Sequence, residues 1–169
     1  MELAIAVGGT VIGGVLLALI FFLSNDFLFR LPALSGLWTF QSETCLTSYN
    51  PYKGMKLTYL VLLWQEGHAI YGSGEKVRED VKGAIRNYTG EHRSRIEIRG
   101  YATKRYFKKS EVVLHFKEHA EKRESSTMHT LRICGNATME GEYATTVANS
   151  SGKARWTRGG DGLVFEVII

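Results

Sequence analysis

Tyr59, Tyr71, Tyr101, Tyr143 and Trp156 are interleaved along this chain with Arg95, Arg99, Lys104, Arg105 and Arg155. Flat bases stack on aromatic faces, and a guanidinium holds phosphate oxygens bidentately. Such a mixture suits a nucleotide. The expected ligand-binding set is Tyr59, Tyr71, Arg95, Arg99, Tyr101, Lys104, Arg105, Arg155 and Trp156. The competing reading is structural: aromatics are favoured in any sheet, and alternate Arg residues make an ordinary solvated face.

Signs of catalysis or metal binding are missing. The chain has no G-x-S-x-G, P-loop or H-E-x-x-H pattern. His115 and His119 lie four apart on one expected strand, about 13 Å along it, too far for one metal ion. His68 and His129 stand alone and read as structural. Cys45 and Cys134 are the only cysteines and lack C-x-x-C spacing. In a cytoplasmic domain they would be reduced thiols; in an oxidising compartment a bridge between them would be plausible. No enzyme activity, cofactor or metal is expected.

The elements that must position these side chains are strands. Period-two alternation marks residues 36–42, 55–64, 68–76, 94–101, 111–120, 126–133, 138–145 and 153–158, separated by turn-forming residues such as Asn50-Pro51, Gly67, Gly135-Asn136 and Ser151-Gly152. Residues 77–92 are charged and read as one long loop, and the 163–169 tail reads as apolar and strand-like. Eight short antiparallel strands at regular spacing are enough to close an up-and-down β-barrel that holds its own side chains or one small ligand. The fold class is therefore all-β, an eight-stranded antiparallel barrel behind an N-terminal helix.

That helix comes from residues 4–23, an uncharged run of apolar and small residues. About 20 such residues span the ~30 Å hydrocarbon core of a bilayer. A signal peptide would want a basic start, a shorter core and a better cleavage site than Phe22-Leu23-Ser24-Asn25. The organisation read here is a transmembrane helix over 1–24, a juxtamembrane linker over 25–35 and a barrel over 36–169. Gly9 and Gly13 form a small-xxx-small pair that would favour helix association in lipid, although glycine is common in membrane helices generally. All 21 Lys and Arg fall from Arg30 onward, which argues for a cytoplasmic barrel. Two of the 17 Asp and Glu, Glu2 and Asp26, precede that point, so the remainder is more basic than the chain's net +4 and suits an anionic partner.

Gly36-Leu37-Trp38 at the first strand, with Arg158 at the end of the last, resembles the G-x-W and closing arginine of lipocalins, where the cation stacks over the tryptophan. The whole plan, an apolar anchor, almost no linker and a minimal basic barrel, resembles the transmembrane β-barrel effectors of bacterial cyclic-oligonucleotide-based anti-phage signalling (CBASS). That resemblance implies an inner-membrane antiviral defence protein, single-pass, with its barrel in the cytoplasm. The barrel would bind a cyclic di- or trinucleotide made by a partner nucleotidyltransferase, self-associate and disrupt the membrane. One departure is plain: family members usually carry two membrane helices, and this chain has one. The alternative is a membrane-tethered lipocalin-like carrier of a small apolar ligand, and the side chains at the barrel mouth discriminate the two. Arg or Lys there favours the nucleotide, an uncharged lining the carrier. A barrel filled by its own aromatics and used as a docking platform is a third possibility.

Overall fold

Alternation of apolar and polar residues decides the architecture of residues 36–158. A computed structural model describes residues 2–23, 31–90, 93–105, 108–120 and 123–159, with the side chains of 2–6, 119, 120 and 123 left aside. The chain divides into two units, Met1–Leu31 and Pro32–Ile169.

In the first unit, α1 runs over Glu2–Leu23. Its large side chains, Val11, Leu17, Phe21 and Phe22 among them, are exposed, and it is apolar around its whole circumference. Among the described residues no helix is long and apolar enough to cross a membrane. The transmembrane span is therefore an inference from the sequence of 4–23, not a feature the structure shows.

The second unit is an antiparallel sheet that closes on itself. Its strands are β1 (Gly36–Leu46), β2 (Lys56–Glu66), β3 (Ala69–Val81), β4 (Ala84–Asn87), β5 (Arg95–Thr103), β6 (Glu111–Ala120), β7 (Arg123–Ile133), β8 (Thr138–Thr145) and β9 (Ser150–Arg158). The order is β2-β1-β9-β8-β7-β6-β5-β3-β4, and β2 also pairs with β3. Eight strands thus form a closed up-and-down barrel with no free edge on the apolar β2. β4 is an addition that pairs only with the outer end of β3, Arg78 opposite Asn87 and Val81 opposite Ala84.

That hairpin corrects the expectation of one loop over 77–92. Lys82 and Gly83 both take positive φ, 53° and 89°, the conformation a two-residue hairpin turn requires, and the Gly83 amide donates to Asp80 Oδ1. The tail at 163–169 and the linker aromatics Phe27 and Phe29 lie outside the described residues.

One half of the barrel is packed solid. Trp38, Leu63, Ile70, Ile98, Leu114, Leu131, Met139 and Trp156 are all essentially inaccessible. The chain entrance caps this half. Trp38 Nε1 donates to the Leu34 carbonyl, the Leu34 amide to Gln65 Oε1, and the Arg158 guanidinium lies 5.1 Å over the Trp38 ring. The expected cation over Trp38 is thus in place, and Arg158 also donates to the Ala33 carbonyl. Cys45, on the last turn of β1, and Cys134, beyond the end of β7 at the capped end, are both free thiols.

Candidate functional site: the open end of the barrel

Along β1, β9 and β7 the inward side chains change from large and apolar to small and hydroxylated, while β8 between them keeps the large Tyr143 near its end. β1 runs Trp38, Phe40, Ser42, Thr44; β9 runs Trp156, Ala154, Gly152, Ser150; β8 runs Met139, Gly141, Tyr143, Thr145; and β7 runs Leu131, His129, Thr127, Ser125. Small inward side chains leave the uncapped half incompletely filled. A cavity of ≈ 70 Å³ lies there, lined by the outer members of these runs, from Phe40, His129, Tyr143 and Ser150 to the open end, together with Leu57, Tyr59, Ile96, Phe116 and Glu118 from the wall, and Tyr52, Met55 and Val147 from the loops.

Its floor is aromatic. The Phe40 ring stacks on Trp156 at 4.4 Å, on Tyr59 at 4.7 Å and on Phe116 at 5.5 Å, and His129 meets Phe116 edge-on at 4.5 Å. Trp156 Nε1 donates to His129 Nδ1 at 3.2 Å, which leaves the histidine proton on Nε2. Desolvation lowers the His129 pKa to about 3, so the ring is neutral at physiological pH. The hydroxyls of Thr44 and Tyr143 bond each other at 2.7 Å, and Thr127 donates to Thr145 at 2.8 Å.

Among the described residues, Glu118 is the single carboxylate of this lining, and neither Lys nor Arg contributes to it. Its Oε2 accepts from Tyr59 at 3.3 Å and from Ser125 at 3.5 Å, while Oε1 lies 3.6 Å from Lys76 Nζ at the rim. Burial first, and then the charge of Glu118 and its hydrogen bond, push the Tyr59 pKa well up, so this phenol stays a donor.

The expected binding set divides accordingly. Tyr59 lines the cavity and Trp156 lies beneath it. Tyr71, Arg95, Arg99, Tyr101 and Arg155 are on the outer surface: Tyr71 stacks on Trp64 at 6.1 Å, Arg95 reaches Glu75 at 3.8 Å and Arg155 reaches Glu140 at 3.4 Å. Lys104 and Arg105 follow β5 at the capped end; Lys104 is half-buried and partnered, and Arg105 is paired with Glu111. Aromatics and cations therefore do not converge on one site. Gly9 and Gly13 lie in α1, where an added Cβ would meet nothing within 4 Å. His115 faces outward and bonds Ser126 Oγ at 2.6 Å; the His119 side chain is outside the described residues. Among the described residues no cluster of His, Cys, Asp and Glu could hold a metal.

No family model matches the chain, and no curated protein matches it either. A solved structure of a redesigned β-barrel is similar at TM-score 0.47 and 10% identity, over 75% of this chain and 91% of that one.

Proposed function

We propose that this protein is a membrane-tethered, lipocalin-like barrel that binds a small, largely apolar molecule at its open end. The observation that carries the reading is the lining: aromatic rings below, hydroxyls around and, among the described residues, one carboxylate and neither Lys nor Arg. Pockets for drug-sized ligands run to about 300–1,000 Å³, and an engineered apolar cavity that admits benzene measures about 150 Å³. At ≈ 70 Å³ the cavity takes one end of a small molecule, the rest of which occupies the funnel between the loops.

A cyclic di- or trinucleotide is a poor match for such a mouth. Its phosphates would meet Glu118 with neither Lys nor Arg among the described lining residues, and Arg95, Arg99 and Arg155 lie on the outer surface. The anti-phage effector expected by resemblance is accordingly the weaker reading. The tether rests on residues 4–23 and on physics: a helix apolar on every face, with its side chains uncovered, needs an apolar surrounding.

Thermal unfolding of the detergent-solubilised chain tests the ligand class, since a molecule that binds only the folded state raises Tm. Toluene and indole should raise it, and a panel of cyclic di- and trinucleotides should not. A shift with a cyclic nucleotide and none with the aromatics would reverse the assignment.

A further inference from the structure

Glu118 poses a problem for a purely apolar ligand. A carboxylate offers about four lone-pair sites, and those of Glu118 are weakly used: two hydroxyls at 3.3 and 3.5 Å, against a usual O–H···O distance of about 2.7–2.8 Å, and one ammonium at 3.6 Å. Its side chain is only 19% exposed, so water does little to compensate. Among the described residues, the cation beside it does not cancel the charge. Lys76 Nζ is shared between Glu118 and Glu79, which it approaches at 3.8 Å, so two carboxylates face one ammonium at the rim. Arg86 is absent from the described lining.

The neighbouring phenol reports the same field. Burial first, and then Glu118 and Glu79, disfavour the Tyr59 anion. Beside this negative spot stand the faces of Phe40, Tyr59 and Phe116, whose π-clouds also attract cations.

We propose that the molecule taken at the open end is a small aromatic amine, its ring against Phe40, Tyr59 and Phe116 and its ammonium on Glu118 Oε2. This rests on the reading of the open end as a site for small, largely apolar molecules, and narrows it to a chemical class. Lys76 is then the group the ammonium competes with, and Glu118 is the residue that sets specificity.

Three probes of similar size separate the two levels of the claim: 2-phenylethylamine, propylbenzene and 3-phenylpropionate, titrated into the full chain in detergent with Tm and direct binding as readouts. The amine should bind about tenfold more tightly than propylbenzene, and the carboxylate most weakly. Glu118→Gln should erase the preference for the amine while leaving propylbenzene binding intact, which also reports that the variant is folded. Lys76→Met, removing the competitor, should tighten the amine. Equal binding of amine and propylbenzene by the wild type, or a preference that survives Glu118→Gln, would overturn the amine assignment and leave the apolar site standing. No binding of any of the three would overturn both.

Discussion

Burial beneath the cavity keeps His129 neutral, and that neutrality should be visible in the pH dependence of stability. The native pKa is about 3, against an ordinary value of 6.5. Between those values the unfolded chain binds a proton that the folded chain does not. Stability is therefore full above pH 6.5 and is lost as pH falls toward 3, with a slope of up to ~1.4 kcal/mol per pH unit from this group. Urea unfolding at pH 7 and pH 5 should show wild type losing about 2 kcal/mol more than His129→Gln, which keeps an acceptor for Trp156 Nε1. Parallel losses would mean that His129 is not buried in its neutral form. At this scale the sequence is legible by strand parity. The alternation that buries Ile96 and Ile98 turns Arg95 and Arg99 outward, and burying Ala154 and Trp156 does the same to Arg155. Composition places aromatics and cations near each other in the chain, whereas parity separates them in space. The gradient from Trp38 through Phe40 to Ser42 and Thr44, repeated in β7 and β9, is the sequence signal that marks the cavity.

A barrel of eight strands must coil tightly, and inward glycines permit it where strands press together. A Cβ on Gly152 would stand 1.9 Å from the Glu43 carbonyl oxygen, and one on Gly141 would stand 2.0 Å from that of Thr130. Both obstacles are backbone, so neither can swing aside. Gly152 also pairs with Thr44 at the point where the β1–β9 register shifts, which is where β1 bends over the mouth. Gly152→Ala should cost about 2–3 kcal/mol in chemical denaturation, the range of an overpacked core; an unchanged midpoint would mean that β1 and β9 separate freely there. Strand existence was readable from period-two patterning because one face of each strand is buried. The β3–β4 hairpin was not. β4 pairs only with residues 78–81 of β3 and is exposed throughout, and without a buried face no apolar alternation is imposed on it. Only the Lys82-Gly83 turn signal marks it.

For the whole molecule, the division into an apolar helix and a basic barrel implies two solvents. If α1 lies in a bilayer, an arginine at Val15 costs about 2.5–3.5 kcal/mol of insertion free energy. Wild type should then stay in the membrane fraction through alkaline carbonate extraction, and Val15→Arg should shift the chain toward the soluble fraction. Complete extraction of wild type would remove the tether from the account. The central claim concerns the barrel, and occluding its cavity tests it most directly. Ser42 is buried, lines the cavity and points its small side chain at the space above Phe40. Ser42→Leu fills that space with apolar volume and should leave Tm equal or higher. The measurement is the dissociation constant for indole in wild type and in this variant. The account predicts measurable binding by the wild type and its loss, by at least about tenfold, in a variant that remains folded. Unchanged affinity in folded Ser42→Leu would contradict it, because indole would then be bound somewhere other than the open end of the barrel.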